Sequence, residues 1–238
     1  MATRVSFNLP SVRSASAGLA VALVATSVAV ALFSPLGGFL LLVPGLVVHS
    51  LFVWQLVTYA LVETSPMGVI FGALIVWSIG GLLEARWGPR RFLTFAGGIA
   101  ATSAAATVVL SLLVPSVVAS AYPGGNVLTG SLWVAYGLLV GRSQTNFWGL
   151  PVTGNVLALI GAGFVVLGAA FGGLSAFIPD VFALAFTFLV IRGYSPTRLW
   201  TRLRSWQLEK DLRRRSAHLK AVEGGRRAPP RDRDQFLN

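Results

Sequence analysis

The chain has no cysteine, which removes disulfides, thiolate nucleophiles and thiolate-bound metals together. Histidine is nearly as scarce. His49 and His218 are the only two, and they lie far apart in sequence, so neither a histidine-held metal nor any other cofactor is expected. Charge is the third shortage. Charged residues make up 11% of the 238 positions, against about 25% in soluble domains. Only nine of them fall in the first 191 residues: Arg4, Arg13, Glu63, Glu84, Arg86, Arg90, Arg91, Arg142 and Asp180. So few charges over that length exclude a soluble globular domain. A hydrophobic content of 55% and a mean hydropathy of +0.73 exclude a disordered chain, which needs low hydrophobicity. What remains is an all-α polytopic membrane protein.

A membrane-spanning helix needs about 20 mostly apolar residues. The apolar runs place spans at Ala15–Phe33, Val62–Leu83, Phe92–Val114, Val127–Val140, Val152–Phe171 and Val181–Ile191, of which the fourth and sixth are short. The first is read as an uncleaved helix, because its small residues Ala15-Ser16-Ala17 precede the apolar stretch, whereas a signal-peptide cleavage site follows it. Leu36–Gln55 is also apolar but is broken by Gly37-Gly38, Pro44, Gly45 and His49. With Phe52, Trp54 and Tyr59 nearby, it reads as a loop lying in the interface, where aromatic rings are favoured.

The loops test that assignment. With the N-terminus inside, segments 1–14, 84–91, 141–151 and 192–238 are cytoplasmic and hold all 19 basic residues, while 34–61, 115–126 and 172–180 hold none. That one-sidedness predicts a multi-pass protein with both termini in the cytoplasm. It also accounts for the net charge of +11 without a nucleic-acid partner. The resulting organisation is a short segment 1–14, a six-helix membrane domain 15–192 and a basic tail 193–238. In the tail, Leu199, Leu203, Trp206, Leu212 and Leu219 approach helical spacing among many Arg, which suggests an amphipathic helix suited to anionic lipid. Gly224-Gly225 and Pro229-Pro230 then break it into a disordered end. A solvated tail that only sets topology is the alternative.

Two motifs carry more information. Trp54-Gln55-Leu56-Val57-Thr58-Tyr59 precedes the second span, and Gly80 with Glu84-Ala85-Arg86-Trp87-Gly88-Pro89-Arg90-Arg91-Phe92 closes it. Together they resemble the rhomboid family's W-x-x-x-T-Y and G-x-x-x-E-x-x-x-G followed by a basic residue and Phe. The resemblance implies a six-helix rhomboid-like bundle over roughly residues 15–192. Locally, Glu84 and Arg86 can pair with each other or satisfy loop backbone, and Gly88 can end the helix.

Active members of that family are intramembrane serine proteases. Their nucleophile starts the fourth helix, their His lies near the start of the sixth, and a His-x-x-x-Asn pair on the second helps to hold the oxyanion. Carried onto this chain by Gly130 and Gly137, the nucleophile position is Thr129. The small residues three and seven after Asp180 put Asp180 at the His position, and counting from Trp54 or Glu84 puts the pair on Gly68 and Gly72. Ser131, the neighbouring hydroxyl, is turned about 200° around the helix from Thr129.

No histidine occurs in the second, fourth, fifth or sixth span. A carboxylate is a poor base unless its pKa is raised, so the triad reads as degenerate, with no intact catalytic residue. Structural readings stand beside each position. Thr129 is a helix N-terminal hydrogen-bonder. Asp180 favours the positive end of its helix. Glu63 is interfacial. Gly130, Gly137, Ala183 and Ala185 are packing residues.

The leading functional expectation is a pseudoprotease that binds transmembrane segments of client proteins. A divergent protease using Thr129 with Asp180 or His49 is the enzyme alternative. A small transporter or scaffold is a third, weakened by the lack of charge within the spans and of an inverted repeat.

Overall fold

The computed structural model describes residues 14–147 and 150–193. The chain divides into Met1–Tyr194 and Ser195–Asn238. The readings made for residues 1–13 and for the basic tail, including its amphipathic helix and His218, lie outside the described residues.

Six long helices carry the fold. They are α1 (Ala15–Leu32), α5 (Pro66–Trp87), α6 (Pro89–Ser111), α8 (Gly125–Val140), α9 (Gly154–Gly172) and α10 (Ile178–Ile191). Five apolar stretches are long enough to cross a bilayer, the last counted from Leu174 to Ile191. The sixth helix, α8, has 16 residues, so it rises about 24 Å, short of the ~30 Å hydrocarbon layer. Large apolar side chains such as Val21, Leu32, Ile70, Leu159, Val166 and Phe171 point outward, as lipid-facing positions do. The protein is therefore an all-α polytopic membrane protein, as composition implied.

Boundaries differ from the expected ones for local reasons. Helix α5 starts at Pro66, not Val62, because Ser65 adopts an extended conformation and its hydroxyl caps the Gly68 amide at 3.1 Å, with Pro in the first turn. Glu63 therefore lies in the connection rather than in the span. The α5–α6 corner forms where Gly88 adopts φ +80°, its N–H donating to Glu84 O at 2.7 Å, and Pro89 opens α6. The segment expected to be an interfacial loop folds into α2 (Pro35–Leu40) and α3 (Pro44–Ser50), neither long enough to span, and the connection from α6 to α8 holds the single-turn α7 (Pro115–Val118).

The Trp-x-x-x-Thr-Tyr motif holds that segment in place. The motif spans the residue before the short helix α4 (Gln55–Thr58) and the 3₁₀ turn Tyr59–Leu61. Trp54 Nε1 donates to Phe39 O at 2.9 Å and Thr58 Oγ1 to Leu40 O at 3.1 Å. The fully buried Gln55 donates to Gly38 O at 2.7 Å and accepts from the Val43 amide at 3.1 Å. Tyr59, also fully buried, reaches Ala100 O and Ser103 Oγ on α6. At the fully buried Gln55 and Tyr59 these bonds satisfy polar groups that would otherwise be stranded away from water.

Glu84 settles which of its two expected roles applies. Its Oε1 accepts from the Ala15 amide at 2.9 Å and its Oε2 from the Ser16 amide at 2.8 Å. It thus caps the first turn of α1, and no ion pair joins it to the exposed Arg86 among the described residues. Gly80 leaves room for Phe92, since a Cβ there would stand 3.2 Å from the ring. Helix α8 is central, packing on α5, α6, α9 and α10. Its contact with α9 is closest at Gly137, where a Cβ would stand 2.5 Å from the Ala158 amide nitrogen. Gly130 faces Val165 and Ala183 is buried, so both are packing residues. Ala185 is exposed instead and packs against no helix core. Between α8 and α9 the chain forms a small antiparallel hairpin, β1 (Gln144–Phe147) and β2 (Leu150–Thr153), in a stretch read from sequence only as a loop.

Candidate functional site at the acidic end

Charge sorts along the bundle. Arg86, Arg90, Arg91, Arg142 and Arg192 all lie at the end where α5, α8 and α10 finish and α6 begins. Glu63 and Asp180 lie at the other end, where α5, α8 and α10 begin. Thr129, Asp180, Gly68 and Gly72, the positions singled out through the family resemblance, lie at this acidic end.

Thr129 sits one turn into α8, facing Gly72 of α5, and a Cβ on Gly72 would stand 3.3 Å from its Oγ1. Its hydroxyl donates to Gly125 O at 2.8 Å, four residues back in its own helix. This is the local bond that a helical Thr makes when nothing else claims it. Among the described residues it bonds to no carboxylate and no imidazole. His49 is exposed at the end of α3. Ser131, the other hydroxyl considered, is 3% exposed, and its Oγ has no hydrogen-bond partner among the described residues.

Gly68 has a different neighbour. A Cβ there would stand 2.7 Å from Glu63 Cδ, and one on Gly125 would stand 2.8 Å from Glu63 Oε2. The Glu63 carboxylate therefore fills the space left by two glycines, one on α5 and one on α8. Its Oε1 accepts from the Thr64 amide at 3.0 Å and the Ser65 amide at 3.2 Å, and its own amide donates to Ser27 Oγ at 2.9 Å. Glu63 is only 7% exposed, so at the end of the bundle its side chain is enclosed by protein. Burial pushes its carboxyl above the ordinary carboxylate range, and the Ser65 and Thr64 amides partly oppose that shift.

Asp180 occupies the first turn of α10 and is 3% exposed. Its Oδ1 has no hydrogen-bond partner among the described residues. It lies within electrostatic reach of Glu63 and of Tyr59. Two buried acids thus share one end of the bundle, and every arginine described lies at the other. No group of metal-ligating side chains that could hold an ion occurs among the described residues.

Sequence reasoning missed Glu63 as an organiser of this site. The available signal was an acid two residues before a Ser-Pro helix start, where a carboxylate can turn back onto the amides of the next two residues. It also passed over Gln55, whose side chain ties two loops although it sits between the quoted letters of the motif.

No curated protein matches the chain. A family described as eukaryotic integral membrane protein (DUF1751) matches residues 17–147, from the first turn of α1 to the end of β1. That stretch is more than half of the chain and contains both sequence motifs together with Thr129, Gly68 and Gly72. The chain accordingly belongs to this family of rhomboid-like integral membrane proteins.

Proposed function

We propose that the protein is a non-proteolytic rhomboid-like membrane protein that binds transmembrane segments of client proteins at its acidic end. The observation carrying this reading is the state of the Thr129 hydroxyl. It bonds to its own helix and to no base among the described residues, while nucleophilic catalysis needs a base within hydrogen-bond reach. At the same end of the bundle, Asp180 Oδ1, which has no hydrogen-bond partner among the described residues, retains hydrogen-bonding capacity in a buried setting. In a membrane a polar contact of this kind contributes about 0.6 kcal/mol on average and at most about 1.7. Two or three give selectivity without irreversible capture. The clients would carry a polar or helix-breaking residue in the half of the bilayer nearest this end.

In this reading the acidic end faces outward, and the basic end with both termini lies in the cytoplasm, by the positive-inside rule. Photo-crosslinkers at the exposed Asn126 and Val181 test the client reading. They should trap membrane segments, and Thr129→Leu with Asp180→Leu should abolish trapping. Crosslinks confined to the tail between Leu199 and Leu219 would replace it with cytoplasmic docking. Cleavage of a membrane substrate, lost on Thr129→Ala at equal expression, would replace it with the protease. A cysteine placed at Ser50 should label from outside and one at Ser216 only from inside, and the reverse pattern would invert the orientation.

A further inference from the structure

The corner between α5 and α6 carries three guanidinium groups within six residues: Arg86 in the last turn of α5, and Arg90 and Arg91 in the first turn of α6. All three are exposed, and none has an ion-pair partner among the described residues. The acid that could neutralise them is Glu84, two positions before Arg86. Both of its oxygens are instead committed to the Ala15 and Ser16 amides of α1. The fold therefore separates an acid from three bases that stand beside it in sequence, leaving a concentrated positive patch.

Two further features shape the patch. Gly88 at φ +80° followed by Pro89 brings the end of one long helix against the start of the next. The first-turn amides of α6, a 23-residue helix, lack intrahelical acceptors and open toward the same corner. Trp87, packed edge-on against Phe95 with ring centroids 5.1 Å apart, fixes the corner from the aromatic side. Indole rings favour the headgroup level of a bilayer.

We infer that the α5–α6 corner binds the phosphate headgroup of an anionic phospholipid through Arg86, Arg90 and Arg91. Arginine suits this ligand because its planar fork matches phosphate oxygens bidentately, whereas lysine offers a point charge. The position, at the end of two membrane-spanning helices, puts the guanidinium groups at the depth of lipid phosphates rather than free in solution. The site is independent of the acidic end and of client binding.

A purely topological role for these arginines needs only positive charge, so Lys serves equally well. The experiment uses the full-length protein in nanodiscs of phosphatidylcholine with increasing phosphatidylglycerol, reading lipid retention by native mass spectrometry and melting temperature in parallel. Each basic group near an anionic surface is worth roughly fivefold in affinity. The variant R86Q/R90Q/R91Q should therefore lower the preference for phosphatidylglycerol by up to about a hundredfold. R86K/R90K/R91K should retain orientation in cysteine labelling yet still lose most of the bidentate component, a several-fold drop. Inorganic phosphate at the same concentration should not displace the lipid. Equal retention of the two lipids by the wild type, or a triple-Lys variant indistinguishable from it, would overturn the inference. Displacement by inorganic phosphate would overturn the lipid as ligand.

Discussion

Glu84→Ala is the sharpest test of how the bundle is tied together. In the wild type two charge-assisted bonds, at 2.9 and 2.8 Å, run from the Ala15 and Ser16 amides to one carboxylate. Bonds to charged groups contribute about 1.5–3 kcal/mol each when buried. The site is only partly buried, so the two together are worth about 2 kcal/mol. The α1 dipole adds a few tenths to this. For a chain of this size each kcal/mol moves the melting temperature by roughly 2–4 °C. Glu84→Ala should therefore lower it by about 4–8 °C, and Glu84→Gln, which keeps one acceptor oxygen, by about half as much. The assay is helical circular dichroism in a lipid-free zwitterionic detergent, where lipid effects at the neighbouring arginines are absent. Arg86→Gln is the control and should change little. If Arg86→Gln destabilises as much as Glu84→Gln, the two side chains pair with each other and the capping role is wrong.

Gly137→Ala should cost at least about 2 kcal/mol, because its Cβ would stand 2.5 Å from backbone rather than from a side chain that can move; thermal unfolding checks this. Tyr59→Phe removes the hydroxyl that reaches Ala100 O and Ser103 Oγ, and should cost about 1–1.5 kcal/mol by the same measurement. Glu63 supplies a pH test. Its carboxyl is raised by burial, so the folded state holds that proton more tightly than the open chain does. Its contribution is most favourable below the ordinary carboxylate range and declines as pH rises toward the raised value. Glu63→Gln should flatten the melting temperature across that window and raise it at neutral pH. A variant that melts with the same pH slope as the wild type would remove Glu63 from the account.

Composition revealed the six long helices, because apolar runs follow from transfer free energy, and charge placement revealed that the five described arginines lie at one end, as the positive-inside rule expects. The start of α5 was displaced by four residues, since Ser65 and Pro66 choose it locally, whereas an apolar run was counted from Val62 across Glu63, Thr64 and Ser65. The partners of Glu84 were not legible. Its choice between Arg86 and the α1 amides depends on a contact between residues 69 and 68 positions apart, which no local pattern encodes. The same holds at the acidic end. The nearness of Gly72 to Thr129 could be expected from the family resemblance. The placement of the Glu63 carboxylate between Gly68 and Gly125 could not, because it needs the packing of α8 on α5.

The residues that carry the rhomboid-like motifs hold the scaffold together, and among the described residues none of them hydrogen-bonds to the Thr129 hydroxyl. Trp54, Gln55 and Thr58 bond the backbone of α2 and the loop after it. Tyr59 reaches α6, Glu84 caps α1, Gly80 admits Phe92 and Gly88 turns the corner. Each of these tasks persists whether or not the bundle performs chemistry, so the motifs carry information about fold and none about reaction. Activity has to be read from the few positions that would handle a substrate. At those positions this chain presents a Thr bonded to its own helix, two glycines and a buried aspartate with an unused oxygen. An exposed hydroxyl beside a base would have argued for hydrolysis. In the client-binding proposal, Asp180 Oδ1 is the acceptor that a polar group of a bound membrane segment would satisfy, because an unpaired polar atom is costly in a medium that cannot solvate it.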